Sequence, residues 1–407
     1  MTSVEEQRRL VAEYLDTELY AAVDESGPGS LLTFNVNHGF LDGLMRGFKS
    51  AFLKAQDYRQ LAQCETLEDA RLFLGDTDYA DAMRKLDQSE EEDGHHVLTP
   101  DAIVNAVRGK FHEEFELLRT QSRGALRTFL NMIQAEYMIA NVCFLVMSVV
   151  RGTDPEKALA ALNPIGYFPA LRRILAFDSR EDTLNELYAT VLIDTPVAKY
   201  FEAYFRSQSD SASDSVVNMR AAFNEEDISY ITQMLQKLWL EDFYRHCSET
   251  LSGESREVMR MLLEFEADKR ALNIMVNSFD TPLNSDFKRD SDRKALFCNF
   301  GRLYPEAIQQ FSAVSDRQQL ANVLRQYPLH YALWQRAEAE DKDIEDALFE
   351  QEVAFNRHGF DGQSHLASFW SFVRLREQEK RNIFWIVECI HQNMRDANTI
   401  NRWIQIF

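Results

Sequence analysis

The stretch LASFWSFVRLREQEKRNIFWIVECIHQNM, residues 366–394, decides the fold class. Its apolar residues fall at Leu366, Phe369, Trp370 and Val373, then at Ile383, Phe384, Val387 and Ile390, the spacing of one helical face. No Pro or Gly interrupts it. At 1.5 Å per residue the window predicts a rod of about 43 Å. The same texture extends outward: residues 197–252 contain neither Pro nor Gly, and neither does anything after Gly362. Thr99-Pro100, Thr195-Pro196 and Thr281-Pro282 fit an N-cap followed by Pro at the first helical position. No useful length of chain alternates apolar and polar residues between hairpin turns, so the fold is expected to be all-α.

Repeats organise these helices. GFLDGLMRGF begins at Gly39, GYFPALRRIL at Gly166 and GRLYPEAIQQF at Gly301, spacings of 127 and 135. Glu136, Glu266 and Glu377, each in a later long-helix segment, are spaced by 130 and 111. Two sets of landmarks in the same order predict three units of about 120 residues, an ordinary domain size. The boundaries fall at 31–155, 156–285 and 286–407. Three large units suit closure about a pseudo-three-fold axis, leaving a central cavity, better than an open solenoid of many short repeats. Ahead of them, residues 1–30 read as an appended helix over 4–23 and a flexible joint, DESGPGS. DQSEEEDGHH (87–96) and SQSDSASDS (207–215) read as polar loops.

Composition narrows the function. The net charge of −21, from 44 Lys+Arg against 65 Asp+Glu, argues against nucleic acid and anionic lipid as direct partners. Five scattered cysteines without a C-x-x-C pair read as reduced thiols. The N-terminus has no apolar signal core, and VCFLVMSVV (142–150) is too short to span a bilayer, so no transmembrane span is expected.

Candidate chemistry is sparse. Glu388-x-x-His391 has the spacing of a di-iron bundle motif, but such a site needs two copies. FHEEFE (111–116) lacks the second histidine of a zinc-protease helix. Phosphate-binding glycine loops and nucleophile elbows are missing, so no catalytic residue, metal or cofactor is assigned. Gly39, Gly43 and Gly47 share one face of a helix; each costs about 1 kcal/mol relative to alanine, which predicts close packing against a neighbouring helix as the compensation.

FNVNHGFLDGLMRGFKSAFL, QCETLEDARLFLGDTDY, DTPVAKYF, LEFEADKRALNIMVNSF, GRLYPE and REQEKRNIFWIVECI, in this order, closely resemble the subunit d family of vacuolar-type proton ATPases, related to the C subunit of archaeal-type rotary ATPases. The family usually begins near NVNHG, so the helix over 4–23 lies outside the likeness; Asn37-His38 and Ala80 depart from it locally. The resemblance implies a funnel of three pseudo-symmetric helical units. It also implies a non-catalytic role, coupling the central-stalk subunits to the proteolipid ring beside other membrane-sector subunits. Its expected place is the cytoplasmic face of vacuolar, lysosomal or other acidic-organelle membranes, as a peripheral protein. On this footing Glu136, Asn141, Glu264, Glu266, Asp268, Glu377 and Glu379 are expected to line or buttress the cavity. The competing classes are a free helical adaptor without a rotary role and a metal-dependent helical enzyme, which would carry stoichiometric bound metal.

Overall fold

Three hairpins of long helices frame the described part of the molecule. The computed structural model describes residues 31–93, 98–175, 188–209, 225–285, 288–394, 400 and 404–406. The segment at 4–23, its joint and residues 210–224 lie outside the described residues. Those described are helical with turns between, and contain no strand.

The N-terminal part runs α1 (Leu31–Ser50), α2 (Ala55–Leu61), α3 (Leu67–Gly75), α4 (Ala80–Asp93), α5 (Pro100–Gln121) and α6 (Gly124–Val150). Then come α7 (Pro155–Ala160), a 3₁₀ turn at Pro164–Gly166, α8 (Leu171–Ile174), α9 (Ala198–Ser209), α10 (Glu225–Thr250) and α11 (Gly253–Ser278). The last third holds α12 (Glu306–Phe311), α13 (Arg317–Leu324), α14 (Pro328–Ala339), α15 (Ile344–Asp361) and α16 (Ala367–His391).

Local chemistry sets the ends. Thr66 and Asp69 cap α3 reciprocally: the Thr66 hydroxyl accepts from the Asp69 N–H at 3.1 Å, and the Thr66 N–H donates to Asp69 Oδ2 at 3.0 Å. Thr99 caps α5 ahead of Pro100. Thr281 caps only a 3₁₀ turn, whereas the Thr195 hydroxyl bonds back to the Leu192 carbonyl and α9 starts at Ala198. The long hairpins α5–α6 and α10–α11 turn on Gly124 and Gly253, both at φ +52°, a left-handed conformation that favours glycine.

Two expectations change. Residues 87–93, expected in a loop, extend α4, because glutamate, which occupies 90–92, is a good helix former. The run at 142–150 is the end of 27-residue α6, which by length and composition alone is long and apolar enough to cross a membrane; 67% of its most apolar window is buried inside the protein. α6 is the central element of the fold. Against it Trp239 of α10 stacks with Trp370 of α16, Phe243 packs tilted on the same ring, and the Trp239 indole N–H donates to the Met132 carbonyl at 2.8 Å.

The chain's two ends share a core. Leu53, Tyr58, Leu61, Leu74, Tyr79 and Ile103 pack with Ile383, Ile386, Val387 and Ile400, so α16 is covered by the first hundred residues. Phe384, expected on the buried face, is 43% exposed.

Candidate functional site: a charged central cavity

All three hairpins reach a cavity of about 1150 Å³, the first through Glu136. Its lining comes chiefly from α10, α11, α15 and α16, with Tyr204 of α9 and residues of the segment 281–296. On α11, Glu266, Lys269, Arg270, Asn273 and Asn277 form a polar stripe at helical spacing, and Arg374, Glu377, Gln378 and Arg381 repeat the pattern on α16. Behind the stripes the opposite faces are apolar, with Leu272 and Met275 on α11 and Phe372 and Ile383 on α16 buried. Each helix thus turns its polar stripe toward a partly open cavity and its apolar face toward the core.

Arg374 is the hub of this wall. It donates to both oxygens of Glu136 at 3.0 and 2.9 Å and to Glu377 Oε2 at 2.9 Å, with its guanidinium 4.1 Å from the Trp370 ring centroid. The Tyr137 hydroxyl donates to Glu377 Oε1 at 2.7 Å. Burial pushes the Glu136 carboxyl up, to about 7, with Arg374 opposing and Glu377 reinforcing the rise. Burial acts on Glu377 in the same sense, but Arg374, Lys380, Arg381 and the Tyr137 hydroxyl outweigh it and hold that carboxyl at about 2. One wall thus carries two carboxylates of divergent proton affinity: burial and the Glu377 charge outweigh Arg374 at Glu136, whereas the cations and the Tyr137 hydroxyl outweigh burial at Glu377. Opposite, Lys269 bridges Glu266 and Glu352, each at 2.7 Å.

A second buried cluster stands behind the wall. Arg376, fully buried, binds Glu114 on α5 and Glu379 one turn along α16. The Tyr79 hydroxyl donates to Glu379 Oε2 at 2.9 Å, and the Leu53 N–H to Oε1 at 2.6 Å. Phe52 covers the guanidinium at 4.4 Å. This cluster joins α16 to three stretches of the first hundred or so residues at once.

The structure sorts the seven carboxyl and amide candidates. Glu136, Glu266 and Glu377 line the cavity. The other four do not. Asn141 exchanges two hydrogen bonds with the Asn163 backbone, at 2.8 and 2.9 Å, pinning the 3₁₀ turn to α6. Glu264 accepts from the Tyr244 hydroxyl at 3.1 Å and pairs with Arg260 at 3.2 Å. Asp268 accepts from the backbone N–H groups of Arg302 and Leu303 at 3.2 and 3.0 Å, with His330 Nε2 3.0 Å from its Oδ2. Glu379 belongs to the Arg376 cluster. The reason is geometric: residues two apart on a helix are about 200° apart around its axis, so 264, 266 and 268 cannot all face one cavity. Lys269, Arg270, Glu352 and Arg374 were overlooked, although a search for polar residues at i, i+3, i+4 and i+7 finds the stripe.

The glycine expectation is also corrected. A Cβ at Gly43 or Gly47 would meet nothing within 4 Å, and at Gly39 it would meet only Asn35 of the same helix. The buried face of α1 is instead Phe34, His38, Leu41 and Met45, while Phe40 is 76% exposed. The other two landmark glycines are the close-packed ones. A Cβ at Gly166 would lie 2.3 Å from the Tyr137 backbone, and one at Gly301 (φ +121°) 2.5 Å from Asp268 Oδ1.

Comparison with known proteins agrees with this architecture. Residues 41–402 match the family model described as ATP synthase (C/AC39) subunit. V-type proton ATPase subunit d of Dictyostelium discoideum is 35% identical over 380 residues, covering 93% of this chain and 98% of the relative. A probable V-type proton ATPase subunit d of Oryza sativa is 34% identical over 90% of this chain and 96% of the relative. V-type proton ATPase subunit d of Saccharomyces cerevisiae is 33% identical over 92% and 99%.

Proposed function

Because the chain belongs to the ATP synthase (C/AC39) subunit family, within its V-type proton ATPase subunit d branch, we propose that it is a non-catalytic rotor coupler, passing torque from the central stalk to the proteolipid ring. It works as a peripheral protein on the cytoplasmic face of acidic-organelle membranes. The observation that carries the proposal is the charged cavity reached by all three long hairpins. Its surface is polar and of both signs, and so able to hold a protein shaft by ion pairs and hydrogen bonds formed as water is expelled.

Closure into three pseudo-symmetric units, 31–155, 156–285 and 286–407, is part of the proposal. It is supported by the recurrence of a long hairpin in each unit and by the core that α16 shares with the first hundred residues. Torque requires resistance to shear. The Arg376 cluster supplies it where the third unit meets the first, because displacing one partner strands buried charge.

The test is gentle purification of the tagged chain from its own membranes, with the copurifying subunits quantified. One copy per proteolipid ring, with stalk subunits present, is expected. Recovery as a free monomer at low salt would favour the adaptor reading instead.

A further inference from the structure

A second cavity, of about 640 Å³, lies between α5 and the segment joining α7 to the 3₁₀ turn. Asn105, Arg108, His112, Glu116 and Arg119 line it from one face of α5, and Leu159, Leu162 and Tyr167 close the other side. Glu116 is spent on Arg119, which it binds through two hydrogen bonds of 2.8 Å. Arg108 has no carboxylate within ion-pair distance among the described residues, and its one hydrogen bond is a 3.3 Å contact from Nη1 to the Ala161 carbonyl. Its Nε is covered and unpartnered, so Nη2 is the donor open to a ligand. His112 likewise keeps Nδ1 covered and unpartnered, leaving Nε2 as its open nitrogen. Burial draws Arg108 below the usual guanidinium range, and Lys380, itself drawn down chiefly by burial, is lowered further by the Arg108 charge. Asp101 acts on Arg108 in the opposite sense without pairing with it, so Arg108 Nη2 and His112 Nε2 are left as uncommitted donors at this cavity.

We propose that this cavity binds the phosphoryl group of a small organic phosphate. Arg108 Nη2 and His112 Nε2 lie on successive turns of α5, with the Asn105 amide at the adjoining position. Donors carried on successive helical turns can reach different oxygens of a tetrahedral phosphoryl group, and Arg108 supplies the charge-assisted bond. The cavity is larger than phosphate alone requires, and Leu159, Leu162 and Tyr167 give an organic body an apolar wall. The phosphoryl group could be carried by a soluble ester or a lipid head group, which the experiment separates.

The full-length chain is titrated with inorganic phosphate, with adenosine monophosphate, and with phosphatidylcholine vesicles with and without phosphatidylinositol phosphate, while the ring resonances of His112 are followed by NMR. Saturable shifts with the nucleotide or the phosphoinositide vesicles, weaker with inorganic phosphate, are expected. The carrier that binds identifies the source. Arg108→Gln is expected to weaken binding about tenfold or more, the loss of one charge-assisted hydrogen bond. His112→Gln, which keeps a donor at similar reach, is expected to weaken it less. Both variants must retain the parent melting temperature; if Arg108→Gln does not, His112→Gln and His112→Ala carry the test, with loss of binding expected only in the latter. No saturable shift with any phosphate, unchanged binding in Arg108→Gln, or inorganic phosphate binding as tightly as the organic forms would overturn the proposal.

Discussion

Arg374 and Arg376 stand two residues apart on α16 and point to opposite sides of it: Arg374 binds Glu136 in the cavity wall, and Arg376 binds Glu114 in the seam behind. Two residues are about 200° of helix rotation, so one helix serves both the cavity wall and the seam behind it. The two arginines should therefore respond differently to mutation.

Arg376→Met leaves Glu379 buried without an ion-pair partner among the described residues, and Glu114 with Lys110 alone, 3.3 Å away. Breaking a buried pair from one side typically costs about 3–5 kcal/mol, and urea unfolding should show a loss in that range. Arg374→Met, where the partners Glu136 and Glu377 keep 24% and 16% of their side-chain surface exposed, should cost clearly less. Equal losses would mean that the two clusters do not differ in the way their burial implies.

Gly166→Ala and Gly43→Ala should move stability in opposite directions. The first forces a methyl into the Tyr137 backbone, an overpacking cost of about 1–3 kcal/mol or more. The second places a methyl in open space on a helix, where alanine is favoured by about 1 kcal/mol. Paired thermal melts check both signs.

Glu136 gives a pH signature. Its folded-state carboxyl holds a proton up to about pH 7, while an unfolded glutamate releases its own near pH 4.3, so between these values the folded state binds more protons. Stability from this group is full below the unfolded value and is lost as pH rises through 7. Glu377 acts oppositely: its carboxyl at about 2 contributes stability above the unfolded value that is lost as pH falls toward 2. Parent and Glu136→Gln melting temperatures, compared from pH 4.5 to 8, should diverge, with the parent falling relative to the variant. A constant difference would contradict the assignment.

The helical class was legible because period and breakers agree over long windows, as in 366–394. The cavity was only half legible. Glutamates were grouped by closeness in sequence, and a helix separates positions two apart that a strand would place on one face; thus Glu266 reaches the cavity while Asp268 caps the loop at Leu303. The spacing of Gly39 marks a helical face, but whether a glycine is needed depends on what packs opposite, and of the three landmark glycines Gly166 and Gly301, not Gly39, meet a neighbour that excludes a side chain.

The most direct test of torque coupling is a cross-link inside the cavity. Asn277 lines it near the end of α11, so Asn277→Cys, in a background with the half-buried Cys64 replaced by serine, presents a thiol to whatever occupies the space. With the assembled pump in sealed vesicles, the thiol is joined to the neighbouring subunit and ATP-driven acidification is then measured. The account predicts a cross-link to a central-stalk subunit with acidification retained, because the joined parts turn as one body. A cross-link to the stalk that stops acidification would contradict it, since it would mean that the stalk moves against this chain.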